Sequence, residues 1–304
     1  MKTNRVMPHV ASLLLIGAVL SSGVAVAQQG TRSCLGRRAT LVGTPGPDVL
    51  VGTSRNDVIL GLGGADVIGA GGLQDFVCGN AGNDVIRGGS HSDEISGGSG
   101  NDTIRGGEGH IANSVLSGGP GADLIVGGPD RDSLMGGAGA DRLRSGPHND
   151  ILEGGFGNDV LAAGPGPDFI VAADPGDDDI DGGEADDRFG DELNFSQPGA
   201  GDPPVIVNLT LGTALGQGSD TLKGFESVFG SDGDDVLVGD SGPNALIGSG
   251  GDDTLSGMGG DDELDGSAGP NSNDGGDGVD TCLNPSPAQG ATSCEAPHPA
   301  HGGI

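Results

Sequence analysis

Along most of the chain one aliphatic side chain stands among polar residues and returns every nine positions: Leu50, Ile59, Ile68, Val77, Ile86, Ile95 and Ile104, then Ile125, Leu134, Leu143, Leu152, Leu161 and Ile170. Two places before each stands an aspartate: Asp48, Asp57, Asp66, Asp75, Asp84, Asp93 and Asp102, then Asp123, Asp132, Asp141, Asp150, Asp159 and Asp168. A fixed short period of this kind marks a solenoid. The unit is plainest in Gly97-Gly98-Ser99-Gly100-Asn101-Asp102-Thr103-Ile104-Arg105. Its first six places, rich in glycine and aspartate, predict a turn, and its last three predict a very short strand. In that strand the middle side chain faces inward and its neighbours face out. The outer places accept Arg87, Arg105, Glu153 or Val51 alike, as an exposed face should.

One unit is then half a coil, and two units close a flattened coil with a strand on each side. The expected fold is all-β, a right-handed parallel β-roll in two arrays, residues 43–190 and 230–283. At about 4.8 Å per stacked strand, eight coils of the first array would be on the order of 40 Å long. Composition agrees with a thin core: 65 Gly and 18 Pro among 304 residues, 2% aromatics, no Trp and no Tyr.

Charge makes this order conditional. Asp and Glu number 44 against 13 Lys and Arg, a formal charge of -31. Nucleic acid and anionic membranes are therefore poor partners. Stacking places the sixth-position carboxylates in a row along each edge, beside carbonyls exposed by the glycine-rich turns. Such a row repels itself when empty, and oxygen-only ligands select a hard cation. Calcium, with six to eight oxygens at about 2.3–2.6 Å, fits between neighbouring turns and couples binding to folding. The candidate ligands are the thirteen aspartates above with Asp178, Asp187, Asp235, Asp253 and Asp262.

Some units keep the spacing and lose part of the chemistry. Residues 106–117 hold Ser114 where aspartate belongs, 174–181 carry one extra residue, and Arg55, His91 and His148 replace a turn glycine. In the second array Asn244 and Asn271 take the acid's place, and Asn273 interrupts the inward row of Leu237, Leu246, Leu255 and Leu264. These units are expected to hold metal weakly or not at all. Between them, residues 191–229 lose the period and read as a spacer, with two strand-like stretches, 205–210 and 224–229, suggesting a hairpin.

The ends carry other signals. Residues 1–27 read as a secretory signal peptide, with Lys2 and Arg5, an apolar run from Val10 to Leu20, and Ala25-Val26-Ala27 as the cleavage site. A secreted, extracellular chain with no membrane span after cleavage is expected. Export makes disulfides the expected state of the four cysteines, which allow three pairings. Placement favours Cys34 with Cys78, pinning an N-terminal cap over 28–42, and Cys282 with Cys294, closing a loop within 284–304 before a flexible tail.

Several look-alikes fall to context. Asp177, Asp179, Asp181 and Gly182 imitate half an EF-hand loop, yet Arg188 stands at the twelfth place. Gly239-Asp240-Ser241-Gly242 simply opens a repeat, and His91, His110 and His148 have no partner ligands in sequence.

On the evidence of Gly-Gly-x-Gly-x-Asp-x-apolar-x over roughly two-thirds of its length, the sequence resembles the RTX, or haemolysin-type, calcium-binding repeat proteins. The resemblance implies a parallel β-roll in which each sixth-place aspartate helps hold calcium between turns of one edge. Its relatives often leave the cell by a type I route with an uncleaved C-terminal signal, which the N-terminal signal here does not support. The expected function is a secreted, non-enzymatic calcium-binding protein whose ions are structural. An adhesin using the rod to reach cell-surface or matrix components is the alternative. A secreted hydrolase or epimerase using the roll as a module stands third, because residues 191–229 are too short for a catalytic domain.

Overall fold

A computed structural model describes residues 33–107, 113–184, 190–196, 203–285 and 290–294. The signal peptide over 1–27, Asp187 and the tail from 295 lie outside the described residues.

Every described element is a strand, and the strands make two long sheets of 14 and 13 members that face each other as the walls of a solenoid of about 13 turns. Successive units alternate between the walls. Pairing runs parallel with an 18-residue step, as in Ile104 beside Ile86 and Leu134 beside Leu152. At about 4.8 Å per strand the taller wall is roughly 60 Å long. The period-2 rule holds: the inward places are fully buried at Ile68, Ile86, Ile104, Leu116, Leu134, Leu152 and Ile170. These side chains form one continuous core two residues thick. Each buried Leu or Ile contributes about 1.5–3 kcal/mol, so a core one side chain deep per wall is sustained only by repetition.

Strand length departs from expectation. Three residues suffice at Leu124–Val126 or Arg142–Arg144, but Glu94–Ser99 and Ser133–Ala138 are six long. In the longer strands pairing continues through the first places of the next unit, where Gly119 pairs with Gly137 and Pro120 with Ala138.

Residues 191–229 do not interrupt the stack. Glu192–Asn194 and Ser227–Phe229 are consecutive strands of the 13-stranded wall. The 14-stranded wall takes in an antiparallel meander: Ser219–Lys223 lies beside Asp179–Asp181, Thr213–Leu215 follows, and Ile206–Asn208 then meets Val236–Val238 in parallel. The stretches 205–210 and 224–229 therefore do not pair with each other. They sit in opposite walls, and the hairpin forms between Ile206–Asn208 and Thr213–Leu215, two segments close in sequence.

Both cysteine pairs expected from placement are bonded, Cys34 to Cys78 and Cys282 to Cys294. The antiparallel hairpin of Ser33–Cys34 and Arg37–Arg38 lies on the flank of the 13-stranded wall, where Cys34, Val42, Leu60, Phe76 and Cys78 make a second small core. Arg37 stacks over the Phe76 ring at 3.9 Å, a cation–π contact. At the other end Asn273 keeps the inward place at 2% exposure and turns it into a closure. Its amide donates to the carbonyl of Leu283, at 2.8 Å, and to those of Leu264 and Pro285, so a polar side chain ends the core by bonding across to the opposite wall.

Candidate metal centre

Each sixth-place aspartate points inward at the corner between turn and strand, and its two oxygens have different surroundings. Oδ1 accepts the backbone N–H of the aspartate one coil earlier: Asp48 donates to Asp66, Asp66 to Asp84, Asp84 to Asp102, Asp102 to Asp123, Asp123 to Asp141, Asp141 to Asp159 and Asp159 to Asp178, all at 2.6–2.8 Å. On the second edge Asp57 donates to Asp75, Asp75 to Asp93, Asp132 to Asp150 and Asp150 to Asp168. The structure thus strings the predicted residues into two ladders, one along each edge of the roll.

The other oxygen is the informative one. Oδ2 of Asp66, Asp75, Asp84, Asp93, Asp102, Asp123, Asp132, Asp141, Asp150, Asp159 and Asp168, and of Asp253 and Asp262, is shut away from solvent and has no hydrogen-bond partner. An unsatisfied buried acceptor is costly, and a charged one more so. In Asp66, Asp84, Asp93, Asp102, Asp123, Asp132, Asp141, Asp159, Asp253 and Asp262 it faces the first glycine of its own unit, whereas Ala70, Ser145 and Ala163 hold that place in the units of Asp75, Asp150 and Asp168. A side chain at Gly61 would put its Cβ 2.5 Å from Oδ2 of Asp66 and 2.7 Å from the carbonyl oxygen of Gly79 one coil on. At Gly136 the corresponding distances are 2.6 Å to Asp141 and 2.5 Å to the Gly154 carbonyl. Carboxylate and carbonyl oxygens of successive coils therefore border one small cradle that a methyl group would fill, with no donor among them. Oxygen acceptors converging without a proton between them fit a hard cation. Among the described residues no three carboxylate, imidazole or thiol side chains gather at one point, so the remaining ligands would be backbone carbonyls.

The electrostatics agree. Burial pushes the carboxyls of Asp93, Asp102, Asp132 and Asp168 up to about 7, and those of Asp66, Asp75, Asp123, Asp150, Asp159, Asp253 and Asp262 up to about 6. The N–H bond from the earlier coil opposes the shift, and neighbouring aspartates mostly add to it. Asp84, Asp141, Asp178 and Asp235 are raised by burial as well.

A scan against family models matches the RTX calcium-binding nonapeptide repeat over residues 42–77, 79–110, 112–143, 135–170, 153–189, 215–242 and 238–272, roughly two-thirds of the chain. The chain belongs to that family. Its nonapeptides bind several calcium ions, and calcium is the cofactor of this β-roll. No curated protein matches the chain.

Within the RTX frame individual units differ. Asp48 and Asp57 stand in the ladders, but their Oδ2 atoms have donors of their own: N–H and hydroxyl of Thr44, and N–H and hydroxyl of Thr53 at 2.6 and 2.8 Å. In Asp235, Oδ2 accepts the Ser231 N–H and Oδ1 the Ser231 hydroxyl. The sequence carries only part of the signal: Thr or Ser holds the second place of these units, but Ser249 holds it in the unit of Asp253 as well, where φ is 75°, the hydroxyl turns to the Gly230 carbonyl and Oδ2 stays unpartnered. Ser114 holds a ladder place without a carboxylate, and the N–H of Asp93 reaches its hydroxyl only at 3.5 Å. His91 and His148 accept the left-handed backbone of the fourth place, φ 78° and 87°, so the turn survives without its glycine at a cost of about 1–2 kcal/mol each.

Sequence spacing missed several members. Asp191 and Asp220 accept from the N–H groups of Asp168 and Asp178 and continue the two ladders through the region without period. Asp280, which the spacing does mark, accepts from the N–H of Asp262 at 2.9 Å. The extra residue of 174–181 brings in Asp174, whose carboxylate accepts the Gly155 N–H at 2.8 Å. Burial raises Asp174 to about 7.

Proposed function

We propose that the chain is a secreted, non-enzymatic protein in which calcium ions, bound between coils, fold and stiffen the roll. The observation that carries this reading is the run of partnerless Oδ2 atoms, which at Asp66, Asp84, Asp93, Asp102, Asp123, Asp141 and Asp262 stand opposite a glycine carbonyl of the following coil. In this reading Asp66, Asp75, Asp84, Asp93, Asp102, Asp123, Asp132, Asp141, Asp150, Asp159, Asp168, Asp253 and Asp262 hold the ions together with backbone carbonyls. Asp178 and Asp187 extend the first array's set. Asp48, Asp57 and Asp235 contribute mainly by closing their own turns. Calcium supplies the positive charge that lets buried, mutually repelling carboxylates stay ionised, and the protein supplies their fixed spacing.

Two bonded cysteine pairs support a compartment outside the cytoplasm.

Calcium titration of the chelated chain, followed by circular dichroism and calorimetry, tests the proposal. The expected result is a largely disordered chain that gains β signal and takes up many ions per molecule. Affinities should fall around 10⁻⁴–10⁻³ M, as in other extracellular modules. A chelated chain already rich in β structure and unmoved by calcium overturns it.

A further inference from the structure

The ladders hold most of the acid of the N-terminal coils, which leaves the outer faces of the walls with a charge pattern of their own. On the 14-stranded wall the outward places of the strands from Val49–Val51 to Val160–Ala162 carry no acid at all. They carry Val, Leu, Thr, Gly and Ala with Arg87, Arg105, Arg142 and Arg144, in a chain of net charge -31. Among the described residues these arginines make no ion pair, the one salt bridge being Lys223 with Asp181. The next strand, Asp179–Asp181, reverses the sign abruptly.

Register turns this boundary into a specific figure. Arg142 lies beside Val160, which lies beside Asp179, and Arg144 lies beside Ala162, which lies beside Asp181. Two parallel rows therefore read base, apolar, acid across three neighbouring strands. The bases and acids are two strand spacings apart, about 9.6 Å. Arg142, Arg144 and Asp179 are exposed, and Val160 is 39% exposed.

We propose that this patch is an isologous contact through which two copies of the chain associate side by side, rods antiparallel. A twofold axis along the Val160–Ala162 strand brings that strand of one copy onto its equivalent. Arg142 and Arg144 of each copy then face Asp179 and Asp181 of the other, which gives four charge pairs around an apolar centre. The same operation sets Lys223 against Val126, so no like charges are opposed. A second copy is the favoured occupant because acid and base recur at one spacing on one face, a match that a uniform polyanion would not meet. The inference goes beyond the calcium reading and needs only the folded roll.

The contact is weak by its dimensions. Strands of three residues give a face roughly 10 Å wide, so even 40 Å of rod buries about 400 Å² per copy, half the ~800 Å² of a standard interface. Dissociation constants of about 10–100 µM are expected, rising with salt.

Sedimentation equilibrium of the calcium-loaded full chain, from roughly 1 to 500 µM, tests it. The wild type should dimerise, and Arg142→Glu/Arg144→Glu and Asp179→Arg/Asp181→Arg should each weaken self-association at least ~10-fold. An equimolar mixture of the two variants should dimerise again, since the reversed charges of one meet those of the other. Arg142→Gln/Arg144→Gln, checked by circular dichroism, provides the same loss should a reversal disturb folding. A wild type monomeric over the whole range, variants that associate unchanged, or a mixture that stays monomeric would each overturn the proposal. A monomeric wild type retained on a polyanion matrix through these arginines would assign the face to an anionic polymer instead.

Discussion

Asp57 and Asp102 occupy the same place of the same unit, accept or donate in the same kind of ladder, and are buried alike. They differ in what meets the second oxygen. At Asp57 the N–H and hydroxyl of Thr53 supply two donors, while at Asp102 nothing does. A second-place Thr whose N–H and hydroxyl both turn to the carboxylate thus separates a unit that closes itself from one whose second oxygen is left unpartnered, and Ser249, turned to the Gly230 carbonyl, leaves Asp253 on the unpartnered side. The self-closing units are Asp48 and Asp57 at the start and Asp235 at the opening of the later array, so each array begins on a turn whose carboxylate has donors within its own unit. In the long run between them Oδ2 of the ladder aspartates from Asp66 to Asp168 has none.

The strongest way to break this comparison is to remove the cation and let protons replace it. Without calcium the folded roll holds its aspartates near 6–7, whereas the same groups titrate near 3.8 in the unfolded chain. Folded pKa values above unfolded ones mean that the roll binds protons more tightly than the open chain. That stabilisation is complete below about pH 3.8 and is lost as pH rises through 6–7. In chelator, the β signal should therefore be larger at about pH 4.5 than at about pH 7.5, and calcium affinity should fall as pH drops below about 6. A chelated chain that loses β structure on acidification would contradict the assigned cause.

A sharper cut compares Asp102→Asn with Asp57→Asn. At Asp102 the amide keeps the Oδ1 acceptor for Asp84 but removes the charge beside Gly118, so calorimetry should count fewer calcium ions. At Asp57 the amide nitrogen would meet the Thr53 donors, so stability should fall by about 1–3 kcal/mol with the ion count unchanged. Equal loss of ions in both variants would erase the distinction. Adding chemistry is the converse test: Ser114→Asp should close the gap in the second ladder and raise the ion count. An unchanged count would show that the twelve-residue unit, not Ser114, disables the site. The smallest effect is expected from Thr53→Ala, which removes one hydroxyl donor and should lower the melting temperature by the equivalent of about 1 kcal/mol, as for a lost helix cap. A loss of calcium stoichiometry in that variant would mean that Thr53 serves the ion rather than replaces it.

Where the sequence was legible, it was legible because the period is exact in register. Ile68 predicts Ile86, the walls follow from two units per coil, and the aspartate ladders follow from stacking. Legibility ended where pairing stopped being eighteen residues apart. Asp191 and Asp220 hold ladder places although their neighbours carry no glycine pattern, because the sheet recruits whatever segment can supply its hydrogen bonds. The meander of 206–223 was misread for a related reason: alternation identified strand-like stretches and said nothing of which wall each would join. Asn273 looked like an interruption, yet at the end of a stack an amide that reaches three carbonyls is a better terminus than another leucine. The self-closing turns rest on Thr44, Thr53 and Ser231, residues whose value lies in a hydroxyl and an N–H rather than in any hydrophobic pattern, and Ser249 shows that residue type at that place does not identify them without the backbone conformation.

The ladder bonds all point one way. The N–H of Asp66 is received by Asp84, that of Asp84 by Asp102, and in no case does an earlier carboxylate receive a later N–H along these runs. Each turn is thus finished by chain made after it. A polypeptide emerging N-terminus first presents coils in the order in which they can be completed, each waiting for the next eighteen or so residues before its corner is bonded. The roll is in this sense a polymer with a growing end, and its growing end is the C-terminal one.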